Sequence, residues 1–184
     1  MSTLDNKVCI VTGGTQGIGK AISKLFLLEG CSIVINYHLN DKKANEFRDE
    51  LAKLNLKNFL LIKANVSDPD EVSDMVETCY QKFGKIDVLI NNAGIDRRDL
   101  LLSMELSEWD EVIRTNLTGT FITTKIVSKY MIEQKKGKII NLSSVLGNRG
   151  SNGQCAYIAS KGGINAFTKA SAKELSSKGI TVNA

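Results

Sequence analysis

The stretch Val8-Cys9-Ile10-Val11-Thr12-Gly13-Gly14-Thr15-Gln16-Gly17-Ile18-Gly19 passes from an apolar run into a turn rich in glycine. A short run that is apolar at every position suits a parallel strand covered by helices on both faces. Glycines at 13, 17 and 19 permit a tight turn, a close backbone approach to a phosphate, and close packing of the next helix on the strand. The free N–H groups and the positive end of that helix then face a pyrophosphate. No Gly-Lys-Ser/Thr follows, so the turn is not a Walker A loop. Gly13, Thr15, Gln16, Gly17, Ile18 and Gly19 are therefore candidates for holding a dinucleotide.

Outward from this turn, short β-rich runs alternate with longer helical patterns. Strands are predicted over 8–12, 32–37, 59–64, 88–91, 138–142 and 180–184, and helices over 18–29, 41–54, 69–83, 108–133 and 155–177. Asp68 suits a helix N-cap, Pro69 the first helical position and Glu71 the capping-box position. Alternation of this kind predicts an α/β fold, a Rossmann-type doubly wound parallel sheet with helices on both faces. One domain is expected over residues 1–184, with no repeat, linker or low-complexity tract. Because the chain stops at Ala184 within a strand pattern, it reads as a piece lacking its C-terminal part.

Composition excludes several classes. The 184 residues are 42% hydrophobic and 24% charged, which argues against disorder, collagen and coiled coil. Apolar runs fall far short of the ~20 residues of a membrane span. The N-terminus carries no leader pattern, so a cytoplasmic protein without membrane association is expected. The net charge of +4 is spread along the chain and reads as solvated helix ends and turns, not a nucleic-acid surface. Four cysteines form no CxxC pair and His38 is the single histidine, which disfavours a metal site, a disulfide framework and a histidine-based triad.

Further along, the second strand pattern ends Asn36-Tyr37-His38, with no carboxylate before Asp41. An acid there binds the ribose hydroxyls of NAD, and its absence removes the repulsion that a 2′-phosphate meets. Asn36, Thr15 and His38 are expected to donate to phosphate oxygens. Asn65-Val66, after the third strand, suits an adenine edge and face. Asn91-Asn92-Ala93-Gly94 fits either a plain turn or a backbone passing close to a ligand at the carboxyl edge of the sheet. Tyr157 and Lys161 lie four apart on a helical pattern and share a face. A neighbouring ammonium favours the phenolate and makes tyrosine a usable acid near neutral pH. Ser144 could hold a carbonyl oxygen, or cap a turn.

Taken together, Thr12-Gly-x-x-x-Gly-Ile-Gly19, Asn91-Asn-Ala-Gly94, Asn116, Ser144 and Tyr157-x-x-x-Lys161 closely resemble the short-chain dehydrogenase/reductases over the whole chain. Within that family, Gly94-Ile95, Arg97, Leu100-Leu101, Met104, Trp109, Asn116-Leu117 and Gly153-Gln154 are similar to the 3-oxoacyl-acyl-carrier-protein reductases, and acetoacetyl-CoA reductases share many of these features.

The resemblance implies a site binding NADP(H) or NAD(H), and the missing carboxylate at the end of the second strand favours NADP(H). Its cofactor contacts would be the Gly-rich turn, Asn36, Tyr37, His38, Asn65, Val66, Asn92, Ala93 and Gly94, together with Tyr157 and Lys161. It also implies Tyr157 as general acid, Lys161 as its cationic partner, Ser144 orienting the substrate carbonyl, Asn116 helping to hold a relay water, and Gln154 beside the substrate. The implied reaction is reduction of a 3-oxoacyl thioester of acyl-carrier protein or CoA in fatty acid biosynthesis, by a homotetramer when full length. Another dehydrogenase of the family, acting on a sugar, steroid or small alcohol, and a non-catalytic nucleotide-binding protein are the competing readings. The chain departs from the pattern at Arg97-Arg98-Asp99, where Arg-Asp-Asn is common, and at Gln16, where NADP enzymes often carry arginine.

Overall fold

The computed structural model describes residues 4–184; the reading of the extreme N-terminus as leaderless rests partly on residues 1–3, outside them. Six strands form one parallel sheet: β1 (Val8–Val11), β2 (Ser32–Tyr37), β3 (Phe59–Lys63), β4 (Val88–Asn91), β5 (Gly137–Asn141) and β6 (Ile180–Asn183). Their order is β3-β2-β1-β4-β5-β6, with every pairing parallel. The chain thus works outward from β1 to β3, then returns to β4 on the other side of β1. That reversal opens a crevice at the carboxyl ends of β1 and β4, where ligands bind in open sheets of this kind.

Strand period 2 separates two cores. On one face Ile10, Val34, Leu89, Ile139 and Val182 pack against Val72, Met75 and Cys79 of α3 (Pro69–Phe83) and Val127 and Met131 of α5 (Gly119–Glu133). On the other face Cys9, Val11, Ile33, Ile35 and Ile90 meet Leu27 of α1 (Gly17–Leu28) and Phe47 and Leu51 of α2 (Asp41–Lys53). The apolar runs are buried on both sides because both faces are covered.

Two predicted details change. The Asp68 carboxylate caps α3 as expected, accepting from the N–H groups of Asp70 (2.9 Å) and Glu71 (3.2 Å). Glu71, however, does not close a capping box. Its carboxylate accepts from the Asn65 N–H at 2.7 Å and so ties the end of β3 to α3. The helix expected over 108–133 begins earlier, as α4 (Leu106–Ile113), and is interrupted by a π-helical turn (Arg114–Thr118) before α5. An inserted π turn shifts the helix face by one residue, and here it carries Asn116.

A buried polar chain crosses the first core. Thr123 donates to Asn91 Oδ1 (2.5 Å), Asn91 Nδ2 donates to Thr124 Oγ1 (2.9 Å) and Asn141 Oδ1 (2.8 Å), and Asn141 Nδ2 donates to Thr168 Oγ1 (2.8 Å). It links α5, β4, β5 and α6 (Cys155–Ser176). Replacing Asn91 with Leu strands the Asn141 carbonyl oxygen in a dry core, where an unmet acceptor costs on the order of 2 kcal/mol. The Asn91→Leu protein should show a lower urea midpoint with an unchanged m-value.

Candidate active site

The crevice is a cleft of about 680 Å³. Its floor begins at the Gly-rich turn, where Gly13 (φ 61°) and Gly17 (φ 53°) take the left-handed conformation that side chains disfavour. Gly14 N–H donates to the Asn36 carbonyl (2.8 Å) and Gly13 N–H to Asn36 Oδ1 (3.3 Å). A Cβ at Gly19 would collide with the Gly13 carbonyl oxygen and the Asn92 amide nitrogen, so that position admits only glycine. The N-cap position of α1, Gln16, makes no side-chain capping bond, and the first turn carries no acid. By contrast, α2 and α3 are capped by Asn40 and Asp68. An uncapped helix start that opens from a glycine turn onto a cleft fits a bound pyrophosphate.

The turn is clasped to the end of β4. Thr12 Oγ1 accepts from the N–H groups of Asn92 and Ala93, both at 3.0 Å. Asn92 Nδ2 donates back to the carbonyls of Thr12 (2.9 Å) and Gly13 (3.0 Å). Asn92 therefore shapes the site from beneath, while Ala93 and Gly94 line the cleft.

At the far end, Thr15, Gln16, Tyr37, His38, Asn65 and Val66 all line the cleft. Asn36 lines it too, but the expectation that its amide donates to a phosphate is corrected. The residue is buried, and its Nδ2 donates to the Ala64 carbonyl at 2.8 Å and the Tyr37 carbonyl at 3.2 Å. Its side chain braces the turn instead. Val66 packs closely on Gly119 of α5. The Tyr37 hydroxyl donates to Asp41 (3.1 Å), and Lys63 pairs with the same carboxylate (3.0 Å). Lys63, and then the Tyr37 hydroxyl, hold Asp41 below the usual carboxylate range.

The remaining candidates gather where α6 passes the ends of β4 and β5. Lys161 is 5% exposed, and its Nζ donates to the Leu142 carbonyl at 2.5 Å and lies 5.5 Å from the Tyr157 ring centre. Burial pushes its pKa down. Asn116 is fully buried; its Oδ1 accepts from Ile95 N–H (2.8 Å), and its Nδ2 donates to the Ile95 carbonyl (2.9 Å) and Ser160 Oγ (3.0 Å). Gly94 is the near neighbour of both Asn116 Oδ1 and Lys161 Nζ. Ser144 caps a short 3₁₀ turn (Val145–Asn148), accepting from Leu146 N–H at 3.2 Å. That bond uses an oxygen lone pair and leaves the hydroxyl hydrogen free to donate. The turn is pressed onto α6 at Lys161, where Gly147 has no room for a Cβ. Gln154 is buried and donates to Asp96 Oδ2 (2.8 Å), which engages one of its two amide N–H donors within the chain.

The short chain dehydrogenase family model matches residues 7–184. The chain belongs to the short-chain dehydrogenase family. It is 46% identical to a Synechocystis protein named 3-oxoacyl-[acyl-carrier-protein] reductase over 184 residues, covering 100% of this chain and 74% of that one. It is 44% identical to a Thermotoga maritima protein of the same name, covering 98% and 73%. A Staphylococcus aureus protein, also so named, is 44% identical, covering 97% and 72%.

In this short-chain dehydrogenase, Glu111, Arg114 and Thr115 also line the cleft, and reading the sequence alone missed them. Their signal was available: they stand on the helix face leading to Asn116, within about a turn of it. Ser67 and Asp68 were missed as lining residues as well, although they directly follow Asn65-Val66. The clasp yields a test. A Thr12→Val substitution keeps the shape but removes the acceptor for two N–H groups, costing about 1–3 kcal/mol. It should lower the melting temperature and weaken dinucleotide affinity together in a titration, whereas Thr12→Ser should stay near the parent in both.

Proposed function

We propose that this short-chain dehydrogenase reduces a 3-oxoacyl thioester to the 3-hydroxyacyl thioester, using NADPH, and that acyl-carrier protein or CoA carries the acyl group. The observation that supports this most is the meeting of Tyr157, Lys161 and Asn116 around Gly94, which lines a cleft whose floor suits a pyrophosphate. The names of the relatives support the thioester class. We infer further that residues 1–184 act as one NAD(P)-binding domain, and that the full-length enzyme works in the cytoplasm as a homotetramer. No helix among the described residues is long and apolar enough to cross a membrane.

The dinucleotide would rest on the Gly13–Gly19 turn, with Tyr37, His38, Asn65 and Val66 around its adenosine and Ala93 and Gly94 along its length. When bound, its nicotinamide supplies the hydride that reduces the carbonyl carbon. The chain's own residues manage the oxygen. Ser144 donates its free hydroxyl hydrogen to the carbonyl oxygen and orients it. Tyr157 delivers its phenolic proton to the same oxygen as charge builds there. The Lys161 ammonium, held in a site where water screens it poorly, stabilises the phenolate left behind. Asn116 fixes the Ile95 backbone and Ser160, and so holds the floor on which a relay water would refill the tyrosine.

Removing the phenol hydroxyl should remove the proton donor without disturbing the cleft. A Tyr157→Phe protein should lose roughly 10²–10⁴-fold in kcat/KM, the usual range for general acid catalysis, while its NADPH affinity holds. Rates on acetoacetyl-CoA, an acyl-carrier-protein thioester and a sugar panel test the substrate class; a sugar turned over faster than either thioester overturns it. With the thioester fixed, kcat/KM should be higher for NADPH than for NADH at one pH and ionic strength, and the reverse order refutes the cofactor choice.

A further inference from the structure

We propose that Lys43, tethered by Gln16 at the rim of the cleft, is the cation that selects a 2′-phosphate on the adenosine ribose. This rests on the NADPH reading above and names the residue behind it. Lys43 stands in the first turn of α2, outside the sequence of the Gly-rich turn and of the end of β2. Its Nζ donates to Gln16 Oε1 at 3.0 Å, and Gln16 lines the cleft together with His38 and Asn40. An ammonium has three donors, and the tether takes one. The glutamine at 16 thus supplies no charge itself but holds a charge in place.

The surrounding charges support the assignment. Lys20 and Lys24 are paired with Glu50, and Lys63 with Asp41. Among the described residues no carboxylate pairs with Lys43. The acids nearby are engaged elsewhere. Asp41 is held by Lys63 and the Tyr37 hydroxyl, Asp68 caps α3, and Glu111 takes a two-point bond from Arg97 (2.9 and 3.1 Å). A phosphate dianion at this rim meets an unpaired ammonium, while Asp41 and Glu111 are neutralised by their own cations. The ribose hydroxyl of NADH offers that ammonium only a neutral acceptor, so the lysine discriminates by charge. Arg114 is the cation that lines the cleft itself, on the π turn that carries Asn116, whereas Lys43 reaches the rim through Gln16.

The test is the affinity of the whole chain for NADPH and for NADH, followed by nucleotide fluorescence at fixed ionic strength. Lys43→Gln should raise the Kd for NADPH about tenfold or more, the scale of a charge-assisted bond, and leave that for NADH within about twofold. Lys43→Arg should keep the preference. Gln16→Leu, which frees the lysine without removing it, should lose part of it. If the parent protein binds both nucleotides equally, the NADPH reading falls and this proposal with it. If the parent prefers NADPH but Lys43→Gln and Gln16→Leu keep that ratio, or Arg114→Gln alone abolishes it, the role of Lys43 is overturned and the NADPH reading stands. Should Lys43→Gln fail to fold, judged by circular dichroism, the Gln16→Leu ratio decides.

Discussion

The site depends on one clasp, that of Thr12 and Asn92 across the ends of β1 and β4. These strands are neighbours because the chain reverses between them, and the reversal leaves a gap where no crossover helix lies. Backbone N–H and carbonyl groups at such a gap need partners. The Thr12 hydroxyl and the Asn92 amide supply them reciprocally, satisfying two N–H groups and two carbonyls. The consequence reaches into α1. Because the Asn92 amide and the Gly13 carbonyl occupy the space beside Gly19, that residue can carry no side chain, and α1 approaches the sheet closely enough to aim its start at the cleft. The glycines are thus set by a hydrogen-bonded pair outside their own turn.

A second constraint carries this order to the reactive side chains. Asn91 precedes the clasp and begins the polar chain that runs through Asn141 to Thr168 on α6. The same helix bears Tyr157 and Lys161. Asn116 adds a tie from the π turn to Ser160, one residue before Lys161. Directional bonds in a dry core fix orientation better than apolar packing, which tolerates small slides. Two adjacent asparagines therefore act on different parts of the machinery: Asn92 shapes the cleft, and Asn91 and its partners set the angle of the helix beside it.

The topology was legible because strand and helix alternation is written in local periodicity, and the bounds of β2, β4 and α3 match the expectation. The cleft residues of the Gly-rich turn were legible for the same reason, since glycine spacing reflects backbone geometry. What escaped depends on distant partners. The π turn at Arg114–Thr118 lies in an unbroken helical pattern; the amide bonds of Asn116 to Ile95, far away in sequence, go with it. Asn36 looked like a phosphate donor because its position suits one, but its amide is used by Ala64 and Gly13. Glu71 had the right spacing for a capping box, yet Asn65 N–H lies within its reach and takes the carboxylate. In each case the residue type was read correctly and a tertiary bond chose its partner.

Lys161 shows what this order costs. Its burial lowers its pKa below the ordinary lysine value, so the folded chain holds that proton less tightly than the unfolded one. The sign follows by linkage. At pH below its folded pKa the group is charged in both states, and the full desolvation cost opposes folding. The cost fades as pH rises from the folded pKa to the unfolded one, where both states become neutral. While the group is charged, the fold therefore carries a desolvated ammonium offset in part by the Leu142 carbonyl. A methylene-rich residue of similar length would suit the same space with less penalty. The lysine is better understood through the Tyr157 ring beside it than through stability: an ammonium that water does not screen acts most strongly on charge appearing nearby.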